Sequence, residues 1–385
     1  MEQIVIGNLL DEATSQFRPG RILLEGTHIA ALEWGHFGPG EGSLYRPESF
    51  IAPGFIELQI NGGLGYDFTT QPEAVFDVAA ILPRWGVTSF LPTIITSPAT
   101  TYLHALAVIG AAMGRTEGTQ ILGVHLEGPF LNPHYRGVHN PAWLQLPALE
   151  KVKAILDAGP LRLFTIAPEL QDATKVINFL QQQGVLVSMG HSAATYEQTL
   201  TGHKAGALYA THLFNAMLPL HQREPGLAGA VLTLPEVKAG IIVDGIHLHP
   251  AVVKLAYQSK GAVGLNLVTD AMAGMGMPPG RYELSGQGVK VDKESARLDN
   301  SVGTLAGSIL TLDRAIRNMQ KWSGCSLAEA IQMVTRNPAQ LLNLERKGRL
   351  VPHYDADLVV LDREGEVEMT FVKGQQVFPN LRQLA

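Results

Sequence analysis

The chain has almost no cysteine. Cys325 stands alone in 385 residues, so no intrachain disulfide framework supports the fold and stability must come from a packed core. Charge is sparse too: Asp, Glu, Lys and Arg make up 17% of the chain, and the formal net charge is -6. The resulting lack of a basic field argues against nucleic acid or an anionic membrane as the main partner, and any phosphate contact must be local. No apolar stretch approaches the roughly 20 residues of a membrane helix. The opening MEQIVIGNLL has neither the basic start nor the long apolar stretch of a signal peptide, and a cytoplasmic protein is expected. Apolar residues are abundant, at 46%, as in a globular protein with a large core.

At 385 residues the chain exceeds a parallel barrel of about 250 residues and needs a smaller companion. The first fifty residues supply part of it. QIVIGNLL and GRILLEGTHIAALEWG are short β-type runs between Gly, Pro and Glu, with no helical pattern. The closing GRLVPHYDADLVVLDREGEVEMTFVKGQQVF repeats that pattern. Neither segment has enough strands for a stable sheet alone. The expectation is a small β-sandwich built from residues 1–52 and 343–385 beside a domain spanning 53–342.

Within 53–342, strand-like and helix-like segments alternate, the mark of a parallel α/β architecture. Eight strands are read in GFIELQIN, GVTSFLPTII, TQILGVHLEG, LRLFTIAPE, GVLVSMGH, GALYATHL, AGIIVDGIH and AVGLNLVTD. Eight such units close a (β/α)8 barrel, whose chemistry gathers at the C-terminal strand ends. GMGMPPGRYELSGQGVKVDKESARLDN after the eighth strand reads as a hairpin over the barrel mouth.

Polar residues sit at those strand ends. Glu127, His191 and His212 each end an apolar run, and a carboxylate with two imidazoles suits a divalent metal that keeps a position open for water. For each residue alone a structural role is the commoner explanation: an ion pair for Glu127, a satisfied loop histidine for His191, a core histidine for His212. Together, at the ends of strands in one barrel, they predict a metal site. Asp270 closes the eighth strand as a candidate general base, although an Asp before AMAGM also suits a helix N-cap. His125, two residues before Glu127, reads as a filled barrel layer. His139, Asn215, Ala216, Arg223 and His247 fall in rim loops, where substrate is usually read. Arg223 beside Glu224 fits a surface ion pair as well as a fixed guanidinium for phosphate or carboxylate.

The segments LEGPFLN, GHSAATY, THLFNAM, REPGLAGA, DGIH, VTDA and GTLAGS, with IAPGFIELQINGG and GRLVPHYDADLVVLD, resemble the N-acetylglucosamine-6-phosphate deacetylase family of the amidohydrolase superfamily. The resemblance spans nearly the whole chain. It implies a zinc or similar divalent ion on Glu127, His191 and His212, with Asp270 as acid/base and His139 polarising the acetyl carbonyl. Asn215, the Ala216 backbone, Arg223 and His247 would bind the sugar 6-phosphate, the last two reaching in from a neighbouring subunit of a homodimer or homotetramer. Val138 would offer a backbone contact, and Leu305, Ala306, Gly307 and Ser308 would lie along the substrate. The resemblance thus implies an enzyme that hydrolyses the acetamide of an amino-sugar phosphate. The alternatives are an epimeric substrate such as N-acetylgalactosamine 6-phosphate, or a non-catalytic scaffold. Many amidohydrolases carry a His-x-His pair on the first strand for a second metal. Here those positions are Gln59 and Asn61, poor ligands beside imidazole, so one ion per subunit is expected. Glu169 rather than a lysine ends the fourth strand, which argues against a bridging carboxylated lysine.

Overall fold

The computed structural model describes residues 2–299 and 303–379. Residue 1 and residues 380–385 of the expected terminal domain, and Asn300 of the expected hairpin, lie outside them. All eight expected barrel strands form: Phe55–Ile60, Val87–Ile95, Val124–Glu127, Leu161–Ile166, Leu186–Met189, Tyr209–Ala210, Lys238–Ile241 and Leu265–Leu267. They pair in parallel with each strand beside the next in sequence. The second strand, VTSFLPTII, is buried at every position, as expected where helices cover one face and the barrel interior the other. The first and eighth strands meet at a seam, where the Asn61 N–H donates to Ala271 O at 2.7 Å and the Asp270 N–H to Gln59 O at 2.9 Å.

Between the strands run the helices Val75–Ile81, Ala99–Ala112, Leu149–Ala158, Ala173–Gln182 and Tyr196–Lys204. Local chemistry sets their ends. Thr195 and Gln198 form a capping box before the last of these, and Ser326 and Glu329 do the same before Leu327–Gln332. After the first helix a short 3-10 turn, Leu82–Trp85, ends on Gly86 at φ 78°, a left-handed position that favours glycine. No helix among the described residues is long and apolar enough to cross a membrane.

The two termini pair with one another. A seven-stranded sheet contains Glu2–Asp11, Gln16–Glu25, His28–Trp34 and Ser43–Pro53 from the start of the chain, and Leu358–Leu361, Val367–Val372 and Gln375–Phe378 from its end. Ser43–Pro53 lies between the two sets, parallel to Glu2–Asp11 and antiparallel to Leu358–Leu361. One hydrophobic core runs through sheet and barrel, from Leu9, Ile22 and Phe371 to Phe55 and Phe90. The expected hairpin after the eighth strand is instead a three-stranded antiparallel sheet, Gly280–Leu284, Gln287–Val291 and Ala296–Leu298. Its third strand adds Ala296 and Leu298 to a second apolar cluster with Leu284, Val289 and Val291, packed on Ile95, Val138 and Met272 at the barrel mouth.

Candidate active site

Three ligand-bearing atoms converge where the sequence expects a metal. Glu127 Oε1 lies 3.1 Å from His191 Nε2 and 3.1 Å from His212 Nε2, and the two nitrogens are 3.1 Å apart. Donors about 2.0 Å from a tetrahedral ion would stand about 3.3 Å from one another, so the triangle fits a divalent cation. Its electrostatics favour positive charge at the centre. His191 Nδ1 donates to the Tyr135 carbonyl at 2.9 Å, which leaves a lone pair on Nε2 facing a carboxylate oxygen and a second imidazole. Such acceptors stay in contact only with a positive charge or a proton between them. Burial alone would lower the His212 pKa, but its hydrogen bond to Glu127 raises it. Burial pushes the Glu127 carboxyl up, and the hydrogen bonds from both histidines outweigh this and hold it well below the usual carboxylate range.

The backbone that carries these groups is unusual. His191, His212 and Asp270 adopt φ of 49°, 30° and 49°, a left-handed region that non-glycine residues visit rarely and that clusters at functional sites. Each turn aims its side chain into the barrel mouth. Glu169 braces the first of them, accepting hydrogen bonds from Asn132 Nδ2, Ser192 Oγ and the Ala193 N–H.

Glu127, His139 and His191 also offer ligand atoms within 4.8 Å of one another, which raises the question of whether His139 is a ligand. Its tautomer argues against this. The Thr96 N–H donates to His139 Nδ1 at 3.3 Å, with the Thr96 hydroxyl 2.8 Å away, so the ring proton sits on Nε2. Burial holds the His139 pKa well below the usual imidazole value, and the ring stays neutral. Its Nε2–H is a donor for the pocket that His139 lines, suited to a carbonyl oxygen.

Asp270 also lines this pocket. The helix that an N-cap role would require is absent, since residues 271–279 form a bridge and turns. Burial, then the charge on Glu127, raises the Asp270 pKa to about 6. His125, under Glu127, is part of a hydroxyl-rich layer: Nδ1 lies 3.2 Å from Thr93 Oγ1 and Nε2 2.8 Å from Thr165 Oγ1. That agrees with a filled barrel layer.

The cavity holds about 340 Å³, in the range of small-molecule sites. Val138, Asn215, Ala216, His247, Leu305 and Gly307 line it. Two expected loop contacts turn away: Ala306 joins the apolar cluster below, and Ser308 Oγ donates to Thr269 O at 2.5 Å. The Val138 carbonyl is already engaged by Gln287 Nε2 of the three-stranded sheet. His247 requires a correction. Rather than reaching into a neighbour, it lines the pocket of its own chain, with Nδ1 2.7 Å from Asp244 Oδ2. Burial would push the Asp244 carboxyl up, but the hydrogen bond from His247 holds it below its ordinary value. Arg223 is exposed on its loop, outside the residues that line the cavity. Sequence reasoning missed Tyr135 and Thr96. Tyr135 acts through its backbone carbonyl and Thr96 through both its N–H and its hydroxyl, which composition does not reveal.

The amidohydrolase family profile matches residues 50–377. The chain belongs to the amidohydrolase family. Among individual amidohydrolase relatives, the N-acetylglucosamine-6-phosphate deacetylase of Danio rerio is 38% identical over 379 residues, covering 90% of this chain and 93% of that protein. The deacetylase of the same name from Lysinibacillus sphaericus is 37% identical, covering 93% and 91%. A variant of the Mycobacterium smegmatis N-acetyl-D-glucosamine-6-phosphate deacetylase, solved in complex with N-acetyl-D-glucosamine-6-phosphate, superposes with a TM-score of 0.92 at 31% identity, covering 98% of this chain and 99% of that one.

Proposed function

We propose that this amidohydrolase removes the acetyl group of N-acetyl-D-glucosamine 6-phosphate, releasing acetate and D-glucosamine 6-phosphate. The observation that carries this reading is the convergence of Glu127, His191 and His212 beside a buried carboxylate and a neutral histidine that both line one cavity. The barrel, 53–342, is taken as the catalytic unit, with 1–52 and 343–385 as its companion. A single divalent ion held by the three ligands, zinc in this proposal, would polarise the acetamide carbonyl and acidify a water. Asp270 takes the proton of the attacking water and returns it to the amine nitrogen as the C–N bond breaks. His139 donates Nε2–H to the carbonyl oxygen as negative charge develops there. Asn215, the Ala216 backbone and His247 hold the sugar phosphate, joined by Arg223 of a neighbouring subunit. The Val138 backbone and the loop of Leu305 and Gly307 lie along the sugar. Phosphate binding adds no chemistry and positions the acetamide.

Acetate release from the phosphorylated sugar by metal-loaded protein tests this. Unphosphorylated N-acetylglucosamine is expected to react with kcat/KM lower by about 100-fold or more, because remote binding energy is lost. Silence on the phosphorylated sugar, or preference for the galacto epimer, would overturn the assignment.

The pH profile is a separate check. Asp270 must be ionised to accept a proton, so turnover rises as pH climbs through its pKa. Burial and the Glu127 charge place that pKa at about 6, and a bound cation lowers it. The acid limb of kcat/KM is therefore expected at or below that value. A limb centred above about pH 7 would count against Asp270 as the base.

A further inference from the structure

Three polar side chains share one face of the first barrel strand and its end, at positions 57, 59 and 61, as the two-residue period of a strand requires. All three reach toward the eighth strand. Glu57 accepts the Thr269 N–H at 3.0 Å and the Gln59 N–H at 2.9 Å, tying the strand to the residue before Asp270. Asn61 Nδ2 donates to Asp270 Oδ1 at 2.7 Å, and Gln59 Nε2 donates to the same oxygen at 3.2 Å. Gln59 Nε2 also lies 3.4 Å from both oxygens of Glu127.

A carboxylate oxygen presents two lone pairs in its plane, and two amide donors occupy both. Among the described residues nothing donates to Asp270 Oδ2. We infer that Asn61, seconded by Gln59, locks Asp270 Oδ1 so that Oδ2 alone is the oxygen that exchanges the proton in catalysis. This rests on the hydrolytic reading above. The water's O–H bond breaks as its proton goes to Oδ2, and its oxygen bonds to the acetyl carbon. The same proton then leaves Oδ2 for nitrogen as the C–N bond breaks. Water and amide are consumed, acetic acid and amine result and leave as acetate and ammonium once the acid's proton has passed to the amine, and Asp270 ends as it began.

The orientation of the Asn61 amide follows from its partner. A carboxylate only accepts, so Nδ2 faces it. The other end, Asn61 Oδ1, is buried with no hydrogen-bond partner, a cost to the fold. Stability alone does not account for an amide placed in this way; its donor contact on Asp270 does. Asn61 and Asp270 both line the cavity.

Asn61 is a positioning residue, and a double-mutant cycle in the metal-loaded full chain tests it. Asn61→Ala is expected to lower kcat about 10- to 100-fold, with KM within about threefold and one equivalent of metal retained. In an Asp270→Asn background the same change should cost less than about twofold, because the effect passes through Asp270. Equal losses in both backgrounds, or a change in KM alone, would overturn the inference. Near-native turnover by Asp270→Asn itself would instead sink the hydrolytic reading, which keeps the two failures distinct. Should Asn61→Ala lose its metal or fail to fold, the isosteric Asn61→Asp faces one carboxylate with another and should lose at least as much kcat. Wild-type kcat in that variant, with metal bound, would remove Asn61 from the mechanism.

Discussion

Replacing Asp270 with asparagine is expected to lower turnover roughly 100- to 10,000-fold, the range that general acid–base catalysis contributes, while the protein keeps its divalent ion. The argument is geometric. Asparagine has the shape of aspartate, so the contacts to Asn61 and Gln59 on one atom can persist. The other atom becomes an NH2 group with no basic lone pair to take a proton. Asp270 stands outside the triangle formed by Glu127, His191 and His212, so metal content should stay near one equivalent per chain. Elemental analysis together with steady-state rates separates the two effects. Loss of metal in step with activity would reassign Asp270 as a ligand, and an unchanged rate would exclude it as the base.

Stripping the divalent ion is expected to reduce turnover at least about a thousandfold, since polarising a carbonyl and acidifying water together supply several kcal/mol of barrier lowering. One equivalent should restore it. The loaded protein should also unfold at higher temperature, because an ion that binds only the folded state adds about 4 kcal/mol at a thousandfold excess over Kd. Glu127→Gln sharpens the test. If Glu127 merely pairs with a protonated His212, a neutral amide leaves metal content unchanged. If it is a ligand, the variant should retain under about a tenth of an equivalent, because neutral amides are poor ligands. Full activity in the stripped protein would end the metal reading.

Much of this architecture was legible in the linear chain for local reasons. Alternation of apolar runs with amphipathic helical stretches depends on near neighbours. Strands such as GFIELQIN and GVTSFLPTII therefore announced themselves, and the polar residues that end them identified the catalytic rim. The expected hairpin at 274–300 was misjudged by one strand. Ala296–Leu298 is only three residues long, too short for alternation to register. The N-cap explanation for Asp270 failed for a related reason: a favoured cap residue says nothing unless a helix follows.

By itself the sequence determined the eight-strand barrel, the pairing of the two ends of the chain, and the candidate ligands, because periodicity and burial are written in residues close together. Only the tertiary structure decided which groups touch. Asn61 and Asp270 are 209 residues apart, and their contact exists because barrel closure brings the first strand beside the eighth. The proton on His139 is set by Thr96, 43 residues earlier, and that on His191 by the carbonyl of Tyr135. His247 faces its own pocket because Asp244 holds it there. Hydrogen-bond direction and ångström-scale distance depend on strand register and on how the barrel closes, which no local pattern encodes.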